Sequence, residues 1–192
     1  MSSFFWKFLR HPLQVGACCP SSPALCRAIT SSAGIENAEL VAELGPGTGV
    51  ITEEICRKLP PKCKLAAVEL DTHLAAALEK RFTDITVFRG CASHLDEMLD
   101  SHSLPKADVV ISGLPFAIFP GELQDKILDG VLRSLSPGGT FSTFAYLQGL
   151  ILPAGIRFRH KLDHLFSEVT TSPVIWKNMP PAVIYRCRKL EE

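Results

Sequence analysis

Short apolar runs alternate along the chain with stretches in which apolar side chains recur every three or four positions. These are the patterns of buried strands and amphipathic helices, respectively. The runs predict strands over residues 40–44, 64–69, 85–89, 107–112 and 140–146. Helical patterns fall between them, over residues 51–58, 72–81, 92–100 and 120–135. Another helix is expected over 23–33, where a serine at 21 or 22 can cap and Pro23 suits the first turn. Pro137-Gly138-Gly139 marks a tight turn into the fifth strand. Beyond residue 155 the pattern changes, and residues 156–170 and 182–188 read as two more strands, an antiparallel pair closing the sheet edge. Strands alternating with helices specify a parallel sheet covered on both faces. The expectation is therefore an α/β fold with a seven-stranded, mostly parallel sheet, an antiparallel edge hairpin and helices on both faces. Residues 38–192 form its core and residues 1–33 a helical N-terminal segment.

Composition narrows the class. At 192 residues the chain can bury a core without disulfide or metal. Its 46% hydrophobic and 21% charged residues are globular rather than disordered in character. Twenty basic and twenty acidic residues give zero net charge, which argues against a surface coated in positive charge for long nucleic acid. The charge is uneven, however. Residues 1–35 carry Lys7, Arg10 and Arg27 without an acid, and residues 169–190 carry Lys177, Arg186, Arg188 and Lys189 without one. If the two ends meet, they form a positive surface suited to phosphate or anionic lipid; the plain alternative is solvated charge. Seven cysteines, an odd number without CxxC spacing, point to free thiols in a reducing compartment. The six histidines do not cluster with them, so no metal is expected.

Two segments invite a membrane reading. Residues 134–156 lack charge, but Pro137, Gly138, Gly139, Gly149, Pro153 and Gly155 suit turn, buried strand and loop better than a spanning helix. The N-terminus is too short in its apolar stretch, and too interrupted by Lys7, for a signal peptide. Ser3, Lys7, Arg10 and Gln14 instead form one polar stripe beside Phe4, Phe5, Trp6, Phe8 and Leu9, with Pro12 ending the helix. Such a segment can lie in a membrane interface, or it can pack on its own domain or on a dimer partner.

The chemistry centres on Glu43-Leu44-Gly45-Pro46-Gly47-Thr48-Gly49, which closes the first strand and opens a helix. Alternate glycines let the backbone turn sharply and approach a ligand. Ligands in such sheets bind beyond the carboxyl ends of the strands. Glu69, followed by Leu70, ends the second strand, where an acid can accept hydrogen bonds from both ribose hydroxyls. Dinucleotide enzymes space their glycines as GxGxxG. The GxGxG spacing preceded by Glu43 resembles instead the S-adenosylmethionine-dependent methyltransferases, in which the acid orients the amino-acid end of the cofactor.

A closer resemblance runs through most of the chain. Residues 9–17 (LRHPLQVGA) followed by Pro20-Ser21-Ser22, residues 110–116 (VISGLPF) and residues 176–183 (WKNMPPAV) resemble bacterial phospholipid N-methyltransferases. That family is similar in outline to the ribosomal RNA adenine dimethylases. The resemblance implies a Rossmann-like methyltransferase fold, S-adenosyl-L-methionine as cofactor, and methylation of the phosphatidylethanolamine headgroup amine. It further implies a cytoplasmic enzyme, peripheral on the inner face of the membrane and held through the N-terminal segment, with neither nucleic acid nor metal. Three other readings stay open: an RNA adenine N6-methyltransferase, a methyltransferase of a small soluble amine, and a non-catalytic methyltransferase-like module. Adenine methylases place Asn or Asp before x-Pro-aromatic to hold the target amine. Gly113 stands at that place and offers no side-chain acceptor.

The expected site follows. Glu43, Gly45, Pro46, Gly47, Thr48, Gly49, Glu69, Leu70 and Ser112 bind the cofactor, with Cys91 and Ala92 at its adenine. Cys91 is a departure, because the family carries an Asp in that region and a thiol is a poor acceptor. Ser112, Gly113, Leu114 and Tyr146 serve the transfer. The Ser112–Leu114 carbonyls receive the amine, and Tyr146 binds it or relays its proton. Arg10 and Lys177 hold the lipid phosphate. Phe116 either stacks at the site, facing adenine or a methylated ammonium, or packs in the core. Oligomeric state and the number of methyl transfers stay open.

Overall fold

The computed structural model describes residues 21–31 and 33–191. The expected N-terminal helix, with Trp6, Lys7, Arg10 and His11, lies outside the described residues. Seven strands form one sheet: β1 (Leu40–Leu44), β2 (Lys64–Glu69), β3 (Thr86–Arg89), β4 (Ala107–Ser112), β5 (Leu135–Tyr146), β6 (Glu168–Thr171) and β7 (Ala182–Arg188). Their order across the sheet is β3-β2-β1-β4-β5-β7-β6. β1 to β5 are parallel, whereas β7 runs antiparallel to both β5 and β6. The expected α/β architecture with its antiparallel edge is what forms.

Strand parity sorts the core into two layers. Leu40, Ala42 and Leu44 point to one face, with Ala66, Val68 and Val110. Val41 points to the other, with Leu65, Val109, Ile111 and Ile184. Successive side chains alternate across a strand, so Glu43 falls on the Val41 face. Helices α1 (Pro23–Thr30) and α2 (Val50–Cys56) cover that face through Leu25, Ile29, Ile51 and Ile55. The opposite face lies under α4 (Leu95–Ser101), α5 (Gly121–Ser134) and α7 (Pro153–Leu165). α3 (Thr72–Arg81) packs beside β2 and β3; its N-cap, Asp71, accepts from the N–H groups of His73 and Leu74. β1 is buried along its whole length, as a central parallel strand must be.

The structure differs from the sequence reading after β5. Residues 147–150 form the short helix α6 (Leu147–Leu150) rather than loop. The strand expected over 156–170 is instead mostly α7, and β6 keeps only its last few residues. Gly155, Phe158 and Leu162 are the buried positions of α7, at spacings of three and four, and Arg159 pairs with Asp163 one turn on at 2.9 Å. The helical period, with Pro153 at the first turn, overrides the β-branched and aromatic residues that suggested a strand. Pro137-Gly138-Gly139 turns as expected, but inside β5: Leu135 already pairs with Ala107, and the register shifts before Thr140 pairs with Val109.

Candidate functional site

Parallel pairing sets the carboxyl ends of β2, β1, β4 and β5 side by side, with Leu44 opposite both Val68 and Ser112, and Ser112 opposite Thr143. The loop leaving β1 takes left-handed backbone at Gly45 (φ 69°), Gly47 (φ 56°) and Gly49 (φ 82°). Two of these glycines are also packed against neighbours. A Cβ on Gly45 would stand 2.6 Å from a Leu114 methyl, and one on Gly49 2.8 Å from the Phe82 ring. Gly47 differs: a Cβ there would meet nothing within 4 Å. The loop therefore packs at both ends and stands open at its centre, where a ligand can lie against the backbone.

Two carboxylates face this loop from different depths. Glu69, at the end of β2, accepts from the Gly47 N–H through Oε2 at 3.0 Å and from the Asp71 N–H through Oε1 at 2.9 Å. Each oxygen keeps a further lone pair, enough for a diol. Glu43 is 1% exposed, and neither of its oxygens has a hydrogen-bond partner among the described residues. Burial pushes its carboxyl up to about 8. The neighbouring Thr52 draws it back in part, and the charge of Glu69 adds a smaller push upward. A buried carboxyl without a partner is expensive in a finished core. It fits a site whose cationic partner arrives with a ligand.

The Ser112–Leu114 segment is held from both sides. The Gly113 N–H donates to the Leu44 carbonyl at 2.8 Å, and the Leu114 N–H donates to Ser112 Oγ at 3.2 Å. A Cβ on Gly113 would stand 2.8 Å from the Gly45 carbonyl oxygen. The backbone itself thus closes the place where an adenine methylase carries Asn or Asp. Of the three carbonyls expected to receive an amine, that of Ser112 accepts from Thr143 Oγ1 at 3.2 Å, and that of Leu114 accepts from the Phe116 N–H at 3.0 Å.

The other predicted residues fall into separate groups. Tyr146 ends β5 half-buried, with its ring edge-on to Phe144 at 5.4 Å. Cys91 follows β3 and accepts from Ser93 Oγ at 3.1 Å; Ala92 beside it is buried. Lys177 is exposed on the loop between β6 and β7, and Arg10 lies outside the described residues. Of the two roles open to Phe116, the structure shows packing in the core. It is 1% exposed, stacked on Phe158 at 4.2 Å and edge-on to Phe119 and Phe141. Packing is the role it fills, because a ring enclosed by three other rings has no face left for a ligand. Among the described residues no group of His, Cys, Asp or Glu could hold a metal, and no helix is long and apolar enough to cross a membrane.

Two residues were missed. Gln124 is fully buried, and its Nε2 donates to the carbonyls of Phe116 (2.8 Å), Ala154 (3.1 Å) and Phe119 (3.5 Å). It ties the loop after β4 to α7. The signal was its place on the apolar stripe of α5, in step with Ile127, Leu128 and Val131. Asn178, 2% exposed, accepts from the Ser22 N–H at 2.9 Å and donates to the Pro180 carbonyl at 2.7 Å. It joins the two basic ends of the chain.

The glycine loop, its two carboxylates and the sheet order define a class, and the comparisons bear it out. The family described as Methyltransferase domain matches residues 41–139. The chain belongs to the S-adenosylmethionine-dependent methyltransferases. It resembles, in particular, a bacterial lipid N-methyltransferase along nearly its whole length. It is 33% identical to the ornithine lipid N-methyltransferase of Singulisphaera acidiphila, over 98% of this chain and 96% of that one. A dimethyladenosine transferase of Kluyveromyces lactis is 35% identical, over half of this chain and 29% of its own length. In fold, the chain matches an O-methyltransferase from Bacillus cereus in complex with SAH (TM-score 0.69, 13% identity, 98% and 92% covered). It also matches TrmN from Thermus thermophilus (TM-score 0.66, 21% identity, 96% and 52% covered). S-Adenosylmethionine is the cofactor, and the open centre at Gly47, the spare lone pairs of Glu69 and the unpartnered Glu43 fit it.

Proposed function

We propose that the chain methylates a primary amine on a membrane-lipid headgroup, that of phosphatidylethanolamine, at the inner face of the membrane. The observation that carries this reading is the contrast in length between relatives. A lipid N-methyltransferase matches 98% of the chain, including both ends, whereas the dimethyladenosine transferase matches half. The closed side-chain position at Gly113 also counts against an adenine acceptor. S-Adenosylmethionine supplies a methyl group on a positively charged sulfur, an electrophile that displacement by a neutral amine consumes. Glu43 takes the ammonium of the cofactor's amino-acid end, and Glu69 its ribose hydroxyls. The acceptor amine is an ammonium in water and must lose a proton before attack. Its entry between the β4 and β5 ends desolvates it, which favours the neutral form. The Gly113 carbonyl, beside two already engaged, receives one amine N–H and fixes the lone pair toward the methyl group. Tyr146 borders the same end and either accepts a hydrogen bond from the amine or relays its departing proton to water. Lys177, with Arg10, meets the phosphate.

The test is methyl transfer from labelled S-adenosylmethionine to four acceptors in parallel: vesicles of phosphatidylethanolamine with phosphatidylglycerol, vesicles of ornithine lipid with phosphatidylglycerol, ribosomal RNA, and ethanolamine phosphate. Label in phosphatidylethanolamine supports the proposal. Label confined to ornithine lipid moves the acceptor but keeps the class, and label in RNA or the soluble amine overturns the lipid reading.

A further inference from the structure

The tail of the sheet carries apolar side chains that the core does not use. Ile151 is 78% exposed at the turn between α6 and α7, and Leu152 and Ile156 beside it are exposed as well. On the loop between β6 and β7, Trp176 is 70% and Met179 76% exposed. Because β7 runs against β5, with Ala182 opposite Tyr146, this loop lies at the same sheet end as the cofactor loop. The Leu147 N–H donates to the Pro181 carbonyl at 3.0 Å, which fastens the start of α6 to the end of the loop. The two apolar projections therefore leave the same end of the sheet, where Ala182 pairs with Tyr146.

The projections are held out rather than loosely placed. Gly149 sits so close to Ala117, and Gly155 to the Gly149 carbonyl, that neither has room for a Cβ, so the α6–α7 turn is packed down against the loop after β4. Asn178 is buried between Ser22 and Pro180, which anchors the centre of the β6–β7 loop while Trp176 and Met179 point away. Charge completes the pattern. Arg157 and Lys177 lie within these segments, exposed, and neither residues 147–162 nor residues 172–181 contain an acid. Large apolar and aromatic groups interleaved with cations, without acids, match the interfacial layer of an anionic bilayer. The Ser22–Asn178 bond also brings the start of the described residues to this edge.

We infer that the Ile151–Leu152–Ile156 turn and the Trp176–Met179 loop form a bilayer-docking rim at the mouth of the site. Insertion of the rim sets the ends of β4 and β5 against the headgroup layer of an anionic membrane. The inference rests on the lipid reading above, yet it concerns vesicle binding rather than the identity of the acceptor. The experiment uses the full chain, Trp6→Phe so that Trp176 is the only tryptophan, and vesicles of phosphatidylcholine with phosphatidylglycerol that contain no acceptor amine. Trp176 emission is expected to shift to shorter wavelength on binding and to be quenched by lipids brominated near the headgroup end of the acyl chain. Ile151→Ser combined with Met179→Ser should weaken vesicle binding roughly tenfold or more, with S-adenosylmethionine affinity unchanged by calorimetry. Binding without quenching of Trp176, or with full affinity in the double variant, overturns the rim. So does a Trp176 emission that is already shielded before vesicles are added, which would mean that residues 1–20 or a second copy covers the patch. Vesicle binding through the rim, together with no label in either lipid of the acceptor assay above, would leave the rim standing and sink the acceptor.

Discussion

Replacing Glu43 with glutamine isolates the ionisation of one buried carboxyl. Burial raises that carboxyl from 4.5 to about 8 in the fold. The unfolded chain gives up this proton above about pH 4.5, whereas the folded chain keeps it until about pH 8. Stability from this group is therefore full below 4.5 and is lost as the pH rises toward 8, at about 1.4 kcal/mol per unit. At pH 7 the loss amounts to about 3 kcal/mol. Glutamine matches the shape of the protonated carboxyl and carries no such loss. Glu43→Gln should therefore be more stable at pH 7 by up to about 3 kcal/mol, or roughly 6–12 °C in Tm for a chain of this size. The gain should vanish by about pH 4. Urea unfolding of both proteins between pH 4 and pH 8 measures it. A stability difference that is constant with pH, or a variant less stable at pH 7, would refute the reasoning. The same change should weaken S-adenosylmethionine binding by roughly tenfold or more, since a charge-assisted hydrogen bond contributes about 1.5–3 kcal/mol. Binding by the wild type at pH 7 should release close to one proton, seen by calorimetry in buffers of different ionisation enthalpy. The variant should release none.

Three further substitutions separate binding from scaffold. Gly47→Ala should fold with a loss of about 1 kcal/mol, the cost of left-handed backbone for alanine, while calorimetry shows cofactor binding abolished; retained binding would place the cofactor elsewhere. Phe116→Ala should destabilise by about 3–5 kcal/mol in urea unfolding, as expected for an emptied aromatic site in a core. A much smaller loss would show that the ring is not enclosed. Gln124→Met should cost about 2 kcal/mol or more by leaving buried carbonyls without a donor. It should also lower kcat while leaving cofactor affinity unchanged, because the loop after β4 loses its tie to α7; an equal fall in cofactor affinity would count against that division.

Much of the architecture was legible in the pattern of residues. β1, β2, β4, β7 and α3 begin and end where the sequence places them. The four strands carry apolar runs that stop abruptly at glycine, proline or a charge, and α3 has Asp71 as its cap and its basic residues in the last turn. α7 was misread because Ile156, Phe158, Phe166 and Val169 favour strands locally, and its helical period shows only once Gly155 is counted as a buried position. Within the site, Glu43, the glycine loop and Glu69 were readable because backbone demands leave glycines and acids at fixed places. Phe116 had two roles open to it, since stacking at a site and packing in a core use the same aromatic chemistry, and only tertiary neighbours separate them. Gln124 and Asn178 act through bonds across 30 and 156 positions, respectively, and no local pattern encodes such a partner.

The bonds from Glu69 to the Gly47 and Asp71 N–H groups carry a consequence for the timing of turnover. Both are made by protein groups alone, so the central glycine is braced to the end of β2 whether or not a nucleoside is present. The conformational entropy of the loop is lost during folding rather than at each encounter. A methyl donor is spent in every cycle and must be exchanged for a fresh one. With Gly47 already braced to the end of β2, that exchange does not require the loop to melt and re-form between rounds.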